Sequence, residues 1–263
     1  MSGRLYLLVP FSIKLLLQRL SFIHPSLWIC FQELLGHLRG GVGPAFCIAY
    51  VSSSALYTFT LYPFFIEGEA SLRAFFEFIP FIITLVAPSL THELVAQEYQ
   101  QKRLDQSLAL PISYPQLLLG KLGGAWAIFM LGTILSLCLP LILSFYVDLY
   151  WPTIWVSYLG LVLMGSMYLC VGLWASVWAK HPLSAWLISF FICFSLYLLG
   201  LSARVLPPDL AEWAQMMSVH SHSSRFNLGV IDSRDLIYFF GMIFFWFTLA
   251  VETLRMKVNN DAY

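Results

Sequence analysis

Charge is what this sequence has least of. Only 11% of its 263 residues are Asp, Glu, Lys or Arg, while 59% are hydrophobic and 17% aromatic. A soluble domain carries about a quarter of its residues charged, so a lipid-facing surface accounts for the shortfall. Basic and acidic residues number 14 each. Without a positive surplus to displace counterions, nucleic acid is excluded as a partner.

Motifs for chemistry are missing as well. Gly120-Lys121 is followed by Leu122 and has no glycine five residues earlier, so it is not a phosphate-cradling P-loop. Neither GxSxG nor HExxH occurs, and no Asp pair or Ser–Lys dyad stands at helical spacing in the apolar runs. No catalytic residue is expected, and any use of ATP and Mg falls to a partner. The cysteines Cys30, Cys47, Cys138, Cys170 and Cys193 stand singly, four of them in apolar runs. That pattern argues against a zinc site or a disulfide framework and for small side chains packed between helices. His220 and His222 lie at i, i+2 without a nearby third ligand, so no metal is expected there. The apolar runs are nearly free of mid-span ionisable groups, which argues against a proton-coupled transporter.

What the sequence does have is long hydrophobic runs. A span needs about 20 mostly apolar residues. Six runs qualify: Ala45–Phe65, Phe78–Ala96 (weaker, with His92 and Glu93 near its end), Leu117–Val147, Ile154–Ala179, Leu183–Ala203 and Leu236–Leu254. An even number puts both termini on one side. With that side cytoplasmic, ten Lys and Arg residues fall inside and four outside, the distribution the positive-inside rule demands.

Segments outside the spans also carry patterns. Lys14, Gln18 and Ser21 share one face of an apolar N-terminal stretch, which predicts a retained interfacial helix. Trp28, Phe31, Leu35 and Leu38 form a second apolar stripe with Gln32, Glu33, His37 and Arg39 facing away. That helix ends at Gly40-Gly41, and Pro44 starts the first span. Between the fifth and sixth spans, Asp209 with Glu212 three residues on predicts a capped short outer helix whose apolar face is Leu210, Trp213, Ala214 and Met217. Asp232, Ser233 and Asp235 are placed to cap the last span. The expected fold is an all-α integral membrane protein of six transmembrane helices, with an N-terminal interfacial amphipathic helix and a short outer helix before the last span. Residues 1–43 form the N-terminal region, 44–257 the six-span domain and 258–263 a tail.

The connection between the second and third spans is the most specific stretch. It runs from Glu93 through Glu98, Lys102, Arg103, Asp105, Pro111, Ser113 and Pro115 to Gly120-Lys121. It resembles the cytoplasmic connection of ABC-2 permeases at Glu98, Asp105, Pro111, Gly120 and Lys121. Lys102 and Arg103 stand where that family usually has Gly and Thr, and Asp105 replaces Glu. Phe31–Leu34 with Pro44–Val51, Tyr158–Gly160 through Gly172–Ser176, and Arg225–Tyr238 resemble the family's gliding-motility/copper-processing branch. The resemblance covers about residues 28 to 257.

The resemblance implies a membrane-spanning exporter subunit of the inner membrane, both termini cytoplasmic. It pairs with a second permease, identical or not, and docks on a separate ABC ATPase. Glu33, Glu98, Lys102, Arg103 and Asp105 are its expected ATPase-coupling residues. Ser53, Tyr57 and Thr60, on a hydroxyl-rich face of the first span, are the expected lining of the translocation path, with helix–helix packing as the alternative role for that face. The lipid bilayer is the remaining partner. A non-transporting membrane anchor or assembly factor on the same scaffold is the alternative function.

Overall fold

The structure, a computed structural model, describes residues 25–58, 72–103, 112–203 and 205–261. The expected N-terminal helix around Lys14, and Thr60 and Asp105 among the site candidates, lie outside the described residues. Within them all regular structure is helical: α1 (Pro25–Gly40), α2 (Val42–Leu56), α3 (Arg73–Val86), α4 (Pro88–Thr91), α5 (Ala96–Gln100), α6 (Tyr114–Ser136), α7 (Cys138–Leu143), α8 (Trp151–Trp178), α9 (Pro182–Ser202), α10 (Pro208–Met217), α11 (Val219–Asn227) and α12 (Ser233–Asp261).

Five stretches are long and apolar enough to cross a bilayer: Phe75–Gln100, Tyr114–Leu143, Trp151–Trp178, Pro182–Ser202 and Ser233–Asn259. They correspond to the second through sixth expected spans. Of the first expected span, the described residues contain only the shorter α2 and the two residues after it.

Local chemistry sets the helix starts. Ser113 adopts an extended conformation and its side chain takes a backbone N–H at the start of α6, while its own N–H donates to Gln116 Oε1 at 3.1 Å. This reciprocal capping box satisfies two donors that the helix cannot. Proline occupies the first turn of α6, α8, α9 and α10, where a missing N–H costs nothing. The outer helix α10 exists, but its cap differs from expectation. It begins at Pro208 with Pro207 as N-cap, so Asp209 sits inside the first turn and makes no capping bond. Proline's fixed φ already starts the helix one residue earlier.

α8 is the central helix, and α3, α6, α9, α11 and α12 pack around it. Met164, Met167, Tyr168, Leu169, Val171 and Leu173 are fully buried there. α12 lies at the periphery; Ile237, Phe240, Phe244 and Phe245 are more than half exposed, as residues facing lipid would be.

The second span is not one continuous helix. It breaks after α4 and resumes at α5, with His92–Val95 in a turn. In a lipid-embedded protein such a break is tolerated only where other groups take up the freed backbone bonds. Ser176 of α8 does this. Its Oγ accepts the N–H of Val95 at 3.0 Å and of Ala96 at 3.1 Å, and donates to the His92 carbonyl at 3.0 Å. One turn earlier on the same face, Gly172 lets Thr91 approach. A Cβ at Gly172 would lie 1.9 Å from Thr91 Oγ1.

The helix ends gather at two poles. At one, Lys257 near the end of α12 donates to the carbonyls of Val177 (2.8 Å) and Ala179 (3.2 Å), capping α8, and sits 3.8 Å over the Tyr99 ring. At the other, Asn227 Nδ2 donates to the Phe76 carbonyl at 2.9 Å, and Ser157 Oγ to the Phe226 carbonyl at 3.2 Å. Glu98 and Lys121 belong to the first pole, His222 and Asp235 to the second.

Candidate functional site

At the Lys257 pole, the early turns of α6 carry Leu119-Gly120-Lys121-Leu122-Gly123-Gly124. The glycines form a trough in which α1 lies. A Cβ at Gly120 would meet Ile29 Cβ and the Ser26 carbonyl at 2.8 Å, and one at Gly124 would meet Glu33 Cβ at 2.5 Å. The Gly-x-x-x-Gly spacing thus allows the backbones to approach, as in membrane helix pairs. Ile29 and His37 are the buried residues of α1. Trp28, Phe31 and Leu35 are half-buried and Leu38 is exposed. Of the polar residues of the stripe pattern, Glu33 and His37 therefore turn into the protein, while Gln32 and Arg39 are exposed.

Glu33 is carried by this packing onto Lys121, Oε1 to Nζ 2.7 Å. From the other side α5, reoriented by the break at His92–Val95, brings Glu98 Oε1 to the same nitrogen at 2.7 Å. Lys121's side chain is only 3% exposed, while each carboxylate is 26% exposed. An ammonium has three donors, and two of them are committed to carboxylates from two different elements. Burying an ammonium costs several kcal/mol unless such partners offset it. Lys121 is therefore a joint: it holds α1 and α5 to one buried charge, which is stranded only if both carboxylates leave it.

Just beyond Glu98, α5 ends in a defined turn. The Lys102 N–H donates to the Tyr99 carbonyl (3.1 Å) and the Arg103 N–H to the Glu98 carbonyl (2.8 Å), the paired bonds of a Schellman cap. Lys102 occupies the left-handed position of that cap with φ 55°, where glycine fits without a Cβ penalty. Lys102→Gly is expected to stabilise the chain by about 0.5–1 kcal/mol in thermal unfolding in detergent, with Glu98 still on Lys121. The side chains of Lys102 and Arg103 are exposed at the surface of this pole.

A family model described as "ABC-2 family transporter protein" matches residues 18–260. The chain belongs to the ABC-2 transporter family. It is accordingly a multi-pass membrane protein of transport machinery, and its family is a membrane component rather than a catalyst. No curated protein matches the chain. The stretch between second and third spans that resembles the ABC-2 connection carries Glu98 and Lys121. Glycine at the Lys102 position, usual in the resemblance set out above, is what the left-handed φ of this cap favours.

His37 lies near the same joint. Burial pushes its imidazole below its usual range, opposed by the carboxylates of Glu33 and Glu93, with His92 and Lys121 adding to the depression. A neutral ring is thus the native form, and the unfolded chain binds more protons as pH falls below about 6.5. Stability at this pole is full above that pH and declines below it. Amide exchange of α1, corrected for intrinsic rate, is expected to rise as pH falls from about 7 to 5. His37→Gln should flatten that rise.

The remaining candidates are distributed differently. Ser53 Oγ points back to its own helix, 2.5 Å from the Ala49 carbonyl and 3.2 Å from that of Tyr50. Ser52, Ser54 and Thr58 also bond carbonyls one turn earlier. These hydroxyls are satisfied locally, so the face they form shows few unsatisfied polar groups. Tyr57 stacks on Phe78 with ring centroids 3.8 Å apart. The outer histidines diverge: His220 meets the Tyr197 ring edge-on, and His222 turns to Asp235. Among the described residues no group of three or more His, Cys, Asp or Glu side chains could hold a metal ion.

Asp232 caps α12, accepting the Arg234 N–H at 2.9 Å. Asp235 instead is buried and pairs with His222. Two functional elements escaped sequence reasoning. Lys121 matched the ABC-2 connection and the opening of a span but was not placed among the site residues, although Gly120-x-x-x-Gly124 around it was a signal for a close helix partner. Ser176 entered only as the end of the Gly172–Ser176 resemblance, and nothing local marks its partners about 80 residues away.

Proposed function

We propose that this chain is the permease subunit of an ABC exporter, driven by a separate ATPase subunit that docks at the Lys121 pole. The observation that carries the reading is the single buried ammonium shared by Glu33 and Glu98. It ties the N-terminal helix α1 and the connecting helix α5 to one span, so a push on either element reaches the membrane domain. Lys102 and Arg103, exposed immediately after α5, and Asp105 in the following segment present charge for docking. Such charges steer and register a partner more than they add affinity.

The same pole holds Arg39, Lys121, Lys180, Arg255 and Lys257, and the positive-inside rule makes it cytoplasmic. Both termini then face the cytoplasm, and His222 and Asp235 face outward. ATP and Mg are held by the ATPase. A second permease, identical or related, completes the path, with Ser53, Tyr57 and Thr60 as candidate lining. Arg225–Tyr238 supports placement in the gliding-motility/copper-processing branch and hence in a bacterial inner membrane.

In this mechanism ATP binding closes the ATPases and shifts α5 through the connection. The turn at His92–Val95 is the flexible joint, Ser176 its anchor on α8, and Lys121 the link that makes α1 move with α5. The test is co-purification from native membranes in mild detergent. A soluble ATPase that accompanies the chain, and whose hydrolysis changes when Glu98 is replaced by Lys, is the expected result. Recovery of other partners without any ATPase would instead favour the anchoring role.

A further inference from the structure

At the opposite pole, where α9 ends and α12 begins, a cavity of about 610 Å³ opens between α9, α10, α11 and α12. Its volume lies within the range of small-molecule sites, roughly 300–1,000 Å³. Gly200 and Ala203 line it from α9 and bring no charge; Glu212 of α10, Arg225 of α11 and Arg234 of α12 bring both signs. α11 is seated closely on α9, where a Cβ at Gly200 would lie 2.3 Å from Ser218 Oγ. The wall that carries Arg225 is therefore built before any ligand arrives.

These charges are largely uncommitted. The side chains of Glu212 and Arg234 are exposed to the cavity's solvent and, among the described residues, form no ion pair or hydrogen bond, with each other or with any third group. Arg225 is engaged through Nη1 alone, which lies 3.4 Å from Asp232 Oδ2 and 3.4 Å from Asp235 Oδ1. Both contacts are long, and the N–H groups on its other two nitrogens stay available. Two guanidiniums and one carboxylate, from three helices, thus border one space. Guanidinium forks suit a phosphate, whose several oxygens two arginines can share. An unpaired carboxylate suits an ammonium and repels a simple anion, so the set favours a ligand carrying both charges.

The place of the cavity narrows the ligand further. It lies at the ends of two spans, and the α10 that borders it is amphipathic. On one face α10 exposes Leu210, Trp213 and Met217; the other presents Glu212 to the cavity. A helix of that pattern rests in a membrane interface with its polar face among the headgroups. We infer that this cavity binds a phosphate ester bearing a primary amine, the chemistry of a phosphoethanolamine headgroup, with Arg225 and Arg234 on the phosphate and Glu212 on the ammonium. Its source is a membrane lipid or the free headgroup ester. The site stands apart from the docking of an ATPase at the far pole, and a chain that only anchors partners would keep it.

Native mass spectrometry of the whole chain, stripped of lipid in detergent and offered phosphatidylethanolamine, phosphatidylglycerol or phosphatidylcholine, tests it. Phosphatidylglycerol keeps the phosphate without an amine; phosphatidylcholine keeps both charges, but its quaternary ammonium has no N–H to give Glu212. One phosphatidylethanolamine should bind about tenfold more tightly than either. Arg234→Gln should weaken it about tenfold, and Glu212→Gln should bring it to the level of phosphatidylglycerol. Both side chains are exposed and unbonded, so neither variant threatens the fold. Soluble glycerophosphoethanolamine separates the sources. Displacement of the lipid shows that the headgroup alone is read, and retention of the lipid against it shows that a membrane lipid is the occupant; either sustains the site. Phosphatidylethanolamine bound no more tightly than the other two lipids, or bound equally well by either variant, would overturn it.

Discussion

Replacing Glu33 and Glu98 together with Gln should cost about 3–5 kcal/mol of stability, because it leaves Lys121 buried without a counter-charge. Either single change should cost far less, since the ammonium keeps one carboxylate at 2.7 Å. The two costs are therefore expected to be strongly non-additive, with a coupling of about 1–3 kcal/mol. Thermal or denaturant unfolding in detergent reads the cycle. A third change supplies the sharper control: adding Lys121→Met to the double variant removes the stranded charge and should restore most of the loss. A triple variant no more stable than the double would show that Lys121 was not the reason for it.

Ser176→Val should be the most damaging single change outside that cluster. It deprives the Val95 and Ala96 N–H groups and the His92 carbonyl of their shared partner and blocks water from replacing it. Each unmet buried group costs about 1–3 kcal/mol, so the three together should cost about 3 kcal/mol or more. The more telling effect is local. Amides of 93–100 should lose protection first, and Glu98 should loosen from Lys121, so that transport or ATP hydrolysis becomes uncoupled before the chain unfolds. Unchanged protection across 93–100 would show that the break is held by packing of Thr91 on Gly172 alone.

Both predictions turn on residues whose partners are distant in sequence, and this marks where sequence reading stops. The five described spans were legible because apolar runs and their Pro and Lys-His-Pro boundaries are local signals, and the structure moves their ends by only a few residues. The weak second run was legible as weak, through His92 and Glu93. That it breaks there was not, because the stabilising hydroxyl of Ser176 belongs to α8. Glu33 and Glu98 were legible as polar residues on short elements at the same end. Their convergence on one ammonium depends on Gly120 and Gly124 admitting α1, a tertiary contact that hydropathy does not report. At the other pole, Asp232 followed the capping rule. Asp235, three residues on, was expected to cap the helix too. It turns inward because His222 and Arg225 offer it partners there.

The most direct measurement is site-specific photocrosslinking in native membranes, with the photoreactive residue at Lys102 or Arg103 and, as the opposing control, at Trp213 of α10. The account predicts that a soluble ATPase is captured from positions 102 and 103 and not from position 213. Capture from position 213, or of no ATPase from 102 and 103 while the chain remains folded and membrane-inserted, would contradict coupling at the Lys121 pole.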